Sequence, residues 1–271
     1  MEHSRRLVSA LVLLPPLVAF LIFASHGLFL LLICVVIGLS FFEYFRLLPL
    51  PYSPLCVGLS YAFAIALACT AHWQGKQGLS LTLSLGMVLL SGCVLWRAGS
   101  TSAPLPALVQ SLFGILLIGW GLSHLILLRR LPWGTEAILL LCGVLWIGDA
   151  AAMYVGKGLG RHPMALSVSP GKTWEGALGG MASCLVVTAV GSYFLLRQLS
   201  LPQSLIVGFL LSCAAQVSDL TESLLKRHSG VKDSGGLIPG HGGLLDRIDS
   251  LFFAAPVAFY LLDFMIGESS V

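Results

Sequence analysis

Acidic, hydroxyl and basic side chains recur at helical spacing in the C-terminal third of this sequence. Asp219, Glu222, Ser223 and Lys226 stand at positions i, i+3, i+4 and i+7. On a helix these spacings place the four side chains on one face, and the residues between them are mostly apolar. The pattern therefore predicts a helix end with a single polar face that can hold charged groups.

A second acidic face follows, where Asp246, Asp249 and Ser250 stand at i, i+3 and i+4. Two acidic faces at the ends of neighbouring helices can hold a hard cation such as Mg²⁺, which takes oxygen ligands from carboxylates, water and phosphates. The alternative is that each aspartate only forms an ion pair with a nearby lysine or arginine. Spacing alone leaves both possibilities open.

A basic, glycine-rich segment, residues 226–243, joins the two faces and contains Arg227, Lys232 and His241. Glycine lets backbone N–H groups approach an anion closely, and a helix N-terminus expected at about Leu244 adds a favourable dipole. The segment suits a polyphosphate, although it is not a Walker A loop. A loop that binds anionic lipids is the alternative interpretation of the same composition.

A second polar segment, residues 156–173, precedes another apolar run. Its last residues, Lys172 and Thr173, are expected at the entry to a helix, and Glu175 in that helix's first turn complements the helix dipole. Lys172 has no structural partner nearby in the sequence. We therefore expect Lys172 to contact a phosphate.

The elements that must position these side chains are membrane helices. The chain has 271 residues, of which 57% are hydrophobic and only 10% charged, with a mean hydropathy of +0.93. A water-soluble domain this apolar could not cover its own surface, whereas a bilayer can solvate it. The formal net charge of +3 argues against a nucleic-acid partner, and the seven cysteines show no metal-site or disulfide pattern.

Apolar runs long enough to cross a bilayer predict an all-α, polytopic protein of about nine transmembrane helices. The predicted spans cover residues 7–24, 28–45, 55–71, 79–95, 106–128, 136–155, 174–196, 203–225 and 250–266. Asp149 lies deep in the sixth span, and a carboxylate at that depth should face a polar cavity or a partner. Residues 1–135 are interpreted as a transmembrane scaffold and residues 136–271 as the catalytic region.

The basic residues indicate how the predicted helices are oriented in the membrane. With the N-terminus in the cytoplasm, eleven of the fifteen Lys and Arg residues fall on the cytoplasmic side; the other four are Lys76, Arg129, Arg130 and Arg197. The positive-inside rule therefore favours a cytoplasmic N-terminus, with both long polar segments on the cytoplasmic side.

The polar segments also resemble a known family. Ser223 to Asp249, with Lys226-Arg227, Lys232-Asp233, Ile238-Pro239-Gly240-His241-Gly242-Gly243 and Asp246-Arg247-Ile248-Asp249 at fixed spacing, is similar to the signature of phosphatidate cytidylyltransferases. The run Ser169 to Gly176 resembles a second element of that family, with Gly171 where its members often carry lysine. Glu43 also matches an acidic position of the family, without a mechanistic role.

The resemblance implies transfer of CMP from CTP to phosphatidic acid, giving CDP-diacylglycerol and pyrophosphate, with Mg²⁺ and a second, monovalent cation such as K⁺. It implies Asp219 and Asp246 as metal ligands, with Asp249 and Asp149 as further candidates. Carried onto the matching positions, the remaining roles fall to other polar side chains. Phosphates or leaving pyrophosphate would be bound by Lys226, Arg227, Lys232 and Arg247. The metal face would be supported by Ser223 and Glu222, and nucleotide or lipid phosphate would be contacted by Lys172, Thr173 and His241.

The family also implies a homodimer in a bacterial-type inner membrane, with the active site facing the cytoplasm. Three other classes are the alternatives, and one of them, a non-enzymatic scaffold, is disfavoured by the cluster of polar residues. A transporter would also bury carboxylates, but no repeated half with matching broken helices is found. A CDP-alcohol phosphatidyltransferase would carry a characteristic aspartate-rich motif, which this sequence lacks.

Overall fold

The computed structural model describes residues 15–48, 53–100, 103–236 and 242–267, and these are almost entirely helical. Residues 15–23 form α1. The longer helices that follow are α2 (His26–Leu47), α3 (Pro54–Trp96), α4 (Pro104–Arg129), α5 (Gly134–Leu159), α6 (Trp174–Leu195), α7 (Leu201–His228) and α8 (Leu245–Gly267). Within these described ranges seven helices are long and apolar enough to span a membrane, so the chain is a multi-pass membrane protein.

The longest helix, α3, is a hairpin of two antiparallel helices. Gly75 interrupts it with φ 66° and ψ −146°, a conformation that only glycine adopts readily. Contacts between the two halves are symmetric about this point: Thr82 Oγ1 donates to Thr70 Oγ1 at 3.0 Å, and the Sγ atoms of Cys56 and Cys93 lie 3.8 Å apart. The two halves correspond to the separate spans predicted at 55–71 and 79–95.

The observed helices match the positions of the predicted spans but differ in extent. Residues 1–14 are outside the described part of the chain, so the total of nine and the cytoplasmic N-terminus stay predictions. Two site helices extend past their predicted ends. The span predicted at 136–155 runs to Leu159, and the one predicted at 203–225 runs to His228.

The polar segment 156–173 contains a two-stranded sheet, whereas the described residues are otherwise mostly helical. Strands β1 (Pro163–Ala165) and β2 (Ser169–Thr173) pair antiparallel, with Pro163 opposite Thr173. Thr173 then caps α6, because its Oγ1 accepts the backbone N–H of Gly176 at 3.1 Å. The hairpin thus delivers the residues just before Thr173 to the end of the helix bundle.

Helices α5 and α6 approach closely through small residues. A Cβ atom on Gly148 would lie 2.5 Å from Cys184 Sγ, and one on Gly180 would lie 2.9 Å from the Cβ of Ala152. Small side chains let membrane helices pack backbone against backbone. This contact brings the C-terminal part of α5, with Asp149, beside the start of α6.

Four basic residues were predicted on the side opposite the polar segments. Three of them, Lys76, Arg129 and Arg130, lie at the opposite end of the bundle. Arg129 donates to the carbonyls of Leu21 and Ala24 at 2.6 and 2.9 Å. Arg130 Nη1 donates to the carbonyls of Ala71 and His72, and Lys76 pairs with Asp263 at 2.7 Å. The ends of the bundle therefore differ in chemistry, since the polar segments lie at the other one.

Candidate active site

A cavity of about 400 Å³ opens where α5, β2, α6, α7 and α8 meet. Its lining comprises Asp149, Ala152, Met153, Gly156, Lys157, Met164, Gly171, Lys172, Thr173, Gly176, Ala177, Gln216, Asp219, Leu220, Asp246 and Asp249. Acidic, basic and apolar side chains thus face one space at the end of the membrane helices. Such a space can accommodate both a charged headgroup and apolar chain atoms.

Three carboxylates form the acidic centre of this region. Asp219, Glu222 and Asp249 each offer an oxygen within 4.8 Å of the others. Glu222 is fully buried, and its Oε1 has no hydrogen-bond partner among the described residues. A buried, unsatisfied oxygen beside two further carboxylates is costly without a cation. The donor set therefore fits a hard divalent metal ion, with Glu222 closer to the centre than its expected supporting role suggests.

Asp246, expected to be a metal ligand, lines the cavity but has a filled set of protein partners. Its Oδ1 pairs with Lys226 Nζ at 2.6 Å. Its Oδ2 accepts from the backbone N–H and hydroxyl of Ser234, at 3.0 and 2.9 Å, and from the N–H of Gly243 at 3.1 Å. These contacts organise the glycine-rich segment, and a metal role for Asp246 remains a prediction.

Lys226 bridges the acidic centre and Asp246. Its Nζ lies 2.5 Å from Glu222 Oε2 and 2.6 Å from Asp246 Oδ1, and its side chain is only 13% exposed. The i, i+4 spacing to Glu222 was visible in the sequence, whereas the pairing with Asp246 needed the fold. In this structure the ammonium forms ion pairs with both carboxylates, and its expected contact with phosphate stays a prediction.

Lys172 has a partner that is distant in the sequence. Its Nζ lies 2.6 Å from Asp219 Oδ2, and Ser223 Oγ lies 3.5 Å from Asp219 Oδ1. Asp149 lines the same cavity from α5. The structure therefore brings Lys172, Asp149 and Asp219 together, as the sequence led us to expect, although Lys172 contacts a carboxylate.

The other predicted phosphate ligands lie either outside the cavity lining or outside the described residues. Arg227 donates from Nε to the carbonyl of Val168 at 3.1 Å, so it ties the end of α7 to the turn between β1 and β2. Arg227, Lys232 and Arg247 are exposed and lie outside the set of cavity-lining residues. His241 falls outside the described residues.

Glu175 fixes the base of the hairpin. Its Oε2 accepts the backbone N–H groups of Arg161 and His162 at 3.1 and 3.2 Å, and its Oε1 lies 2.5 Å from His162 Nδ1. The sequence predicted only an interaction with the helix dipole. The structure adds a direct role in anchoring the strand pair that carries Lys172.

Sequence reasoning missed Gln216 and gave Glu43 no role. Gln216 lines the cavity one helical turn before Asp219, a spacing that could have placed it on the polar face. Glu43 is 2% exposed, and its two oxygens accept the backbone N–H groups of Leu244 and Leu245 at 3.0 and 2.7 Å. A carboxylate in an apolar helix was a signal that a partner must exist.

Comparison with known proteins identifies the family of this chain. The model of the cytidylyltransferase family matches residues 4–265. A phosphatidate cytidylyltransferase of Pseudomonas aeruginosa is 36% identical over 271 residues, covering 96% of each chain. Enzymes of the same name are 35% identical over 191 residues in Staphylococcus saprophyticus (70% of this chain, 71% of that one) and 42% identical over 148 residues in Bacillus subtilis (54% of each). Because the family model spans almost the whole sequence, the chain belongs to the cytidylyltransferase family.

Proposed function

We propose that this protein is a phosphatidate cytidylyltransferase, which transfers CMP from CTP to phosphatidic acid and releases pyrophosphate. The observation that carries the proposal is the cavity at the end of the membrane helices, with its acidic centre flanked by Lys172 and Lys226. The similarity to enzymes of that name supports the choice of substrates.

The proposed reaction needs charge neutralisation more than proton abstraction. A phosphate oxygen of phosphatidic acid forms a bond to the α-phosphorus of CTP. The bond from that phosphorus to the bridging oxygen of the β-phosphate breaks, and its electron pair leaves with pyrophosphate. Because the attacking oxygen is already anionic near neutral pH, the protein must mainly align two anions and balance their charge.

Asp219, Glu222 and Asp249 would hold the divalent cation, for which Mg²⁺ is the proposed identity. Such an ion neutralises phosphate charge in the transition state. Asp149 and Asp246 remain further candidate ligands, and a second, monovalent cation such as K⁺ belongs to the same proposal.

Lys172 is the residue best placed to bind a substrate phosphate. It is partly exposed in the cavity, with 29% of its side chain accessible, and its partner Asp219 belongs to the acidic centre. Once a cation balances Asp219, the ammonium can turn to a phosphate oxygen. Arg227 and Glu175 support this role indirectly, since they hold the two ends of the hairpin against α7 and α6.

The proposed setting is a bacterial inner membrane with the cavity facing the cytoplasm, where CTP is available. The apolar lining, including Met153 and Leu220, suits the glycerol backbone and first acyl carbons of the lipid. A homodimer remains a prediction that a single chain does not test.

The proposal is tested with purified protein in detergent, phosphatidic acid, Mg²⁺ and CTP labelled at the α-phosphate. Label should enter the lipid fraction only when all components are present, and CTP labelled at the γ-phosphate should give no labelled lipid. Asp219→Asn should lower the rate by about a hundredfold or more, because it removes a charge from the acidic centre. Asp263→Asn is the matched control, since Asp263 also pairs with a lysine, Lys76 at 2.7 Å, but at the opposite end of the bundle. Folded wild-type protein that labels no lipid would refute the proposal.

A further inference from the structure

Glu43 is a buried carboxylate that the proposed chemistry does not use. It lies near the end of α2, in the half of the chain interpreted as scaffold, and only 2% of it is exposed. It does not line the cavity that contains the acidic centre. A charged group in this position is expensive unless hydrogen bonds compensate it, so its partners define its role.

Within the described part of the chain, the hydrogen-bond donors to Glu43 belong to the segment that carries the candidate ligands. Leu244 N donates to Oε1 at 3.0 Å and Leu245 N donates to Oε2 at 2.7 Å. These N–H groups open α8, where a helix has no acceptors of its own. Since α8 continues to Asp246 and Asp249, the carboxylate of α2 fixes the first turn on which both aspartates stand.

Ser234 extends the connection to Asp246. Its hydroxyl lies 3.4 Å from Glu43 Oε2 and 2.9 Å from Asp246 Oδ2. Asp246 in turn pairs with Lys226, which pairs with Glu222. A continuous series of polar contacts therefore runs from α2 to the acidic centre.

Glu43 occupies space that is free only because two neighbouring residues are glycines without a Cβ atom. A Cβ atom on Gly235 would lie 2.6 Å from Glu43 Oε1, and one on Gly243 would lie 2.8 Å from Oε2 and collide with Ser234 Oγ. By contrast, a Cβ atom on Gly236 would meet no atom of the described residues within 4 Å. Gly235 and Gly243 thus have no side chain at the two points where the backbone passes close to the Glu43 carboxylate.

We propose that Glu43 is a positioning residue, which holds the first turn of α8 and the Ser234 segment so that the acidic centre keeps its geometry. The inference rests on the proposed function for its effect on CMP transfer. Its structural content is independent of that function, because the contacts predict the order of residues 242–250 and the affinity of the acidic centre for a divalent ion.

The first test compares Glu43→Gln with Arg129→Gln. Glutamine keeps one acceptor but turns an N–H₂ group toward a backbone donor, so one N–H of the α8 turn loses its partner. Arg129 is the matched control, because it is also buried and also bonds two backbone groups, but at the opposite end of the bundle. Both variants should lower the melting temperature.

Only Glu43→Gln should change the site. We expect hydrogen exchange in residues 242–250 to become roughly tenfold faster and Mn²⁺, followed by the loss of its free electron paramagnetic resonance signal, to bind roughly tenfold more weakly. CMP transfer at limiting Mn²⁺ should fall by a similar factor and recover in part when Mn²⁺ is raised, which a merely less stable protein would not do. Glu43→Asp should retain more of each property than Glu43→Gln.

A second pair of variants covers the case in which Glu43→Gln does not fold. Gly243→Ala should reproduce the changes in exchange and Mn²⁺ affinity, whereas Gly236→Ala should match the wild type. If Glu43→Gln behaves like Arg129→Gln, or if the two glycine variants are alike, the positioning role is wrong. If exchange and Mn²⁺ affinity change as expected while wild-type protein transfers no CMP, the proposed function fails and the positioning role stands.

Discussion

At the scale of single residues, two lysines pair with aspartates that line the same cavity, but the two pairs differ in their exposure to solvent. Lys226 joins Glu222 and Asp246, and the three side chains are 13%, 0% and 14% exposed. Lys172 and Asp219 are 29% and 34% exposed. Breaking a buried pair leaves uncompensated charge, whereas an accessible pair is rehydrated by water.

Replacing each lysine by methionine should therefore separate stability from activity. Lys226→Met should lower the free energy of unfolding by about 3 kcal/mol or more, because two carboxylates lose their counter-ion. Lys172→Met should lower it by less than about 1 kcal/mol while still raising the KM for a substrate. Unfolding in mixed micelles and steady-state kinetics provide the two measurements. Equal losses of stability would show that the Lys226 cluster is hydrated and contradict the burial argument.

Spacing in the sequence predicted which residues lie at the site. It did not predict which hydrogen bonds and ion pairs each of them forms. The acidic faces of α7 and α8 follow from positions three and four apart, and Asp149 follows from the cost of a carboxylate at depth. The division of roles between Glu222 and Asp246 does not follow. It depends on the N–H groups of Ser234 and Gly243, which reach Asp246 only through the path of the folded loop.

At the scale of elements, the α3 hairpin depends on one backbone conformation. Gly75, with φ 66° and ψ −146°, reverses the chain without a loop. A Cβ atom there would lie 3.7 Å from Arg130 Nη1, so space is adequate and only the conformation is unfavourable. The cost of such a conformation for other residues is about 1–3 kcal/mol.

Gly75→Ala should thus destabilise the protein by roughly 2 kcal/mol, without lowering activity at low temperature, since the turn is at the end remote from the cavity. Gly92→Ala is the matched control, because it lies in the second half of α3 and its Cβ would meet nothing within 4 Å. That variant should be stabilised slightly, by up to about 1 kcal/mol. Thermal unfolding in detergent distinguishes the two, and a gain of stability for both would show that Gly75 is helical.

Long apolar helices were predictable because the length of an apolar run reports directly on the bilayer thickness. The β1–β2 hairpin was not, since its strands are short and without alternation, and they are held by Glu175 and Arg227 from other elements. The N-terminal half was likewise interpreted only as scaffold. The contacts of Glu43 show that α2 reaches the site, which no local pattern could reveal.

At the scale of the whole molecule, charge is distributed unequally between the two ends of the bundle. The cavity and both polar segments lie at one end, whereas Lys76, Arg129 and Arg130 lie at the other. These three basic residues are engaged with Asp263 or with backbone carbonyls. By the positive-inside rule, the excess of basic residues in the polar segments favours the proposed orientation, in which the cavity faces the cytoplasm.

This orientation can be measured with single cysteines at the two ends. Leu166, in the turn of the β-hairpin, is 70% exposed, and Gln77, beside the α3 turn, is also exposed. None of the seven natural cysteines is exposed, so the maleimide should label them only weakly. In sealed spheroplasts a membrane-impermeant maleimide should label Gln77→Cys and spare Leu166→Cys, and inverted vesicles should give the reverse. Labelling of Leu166→Cys in intact spheroplasts would put the cavity outside, where CTP is absent, and would contradict both the orientation and the proposed reaction.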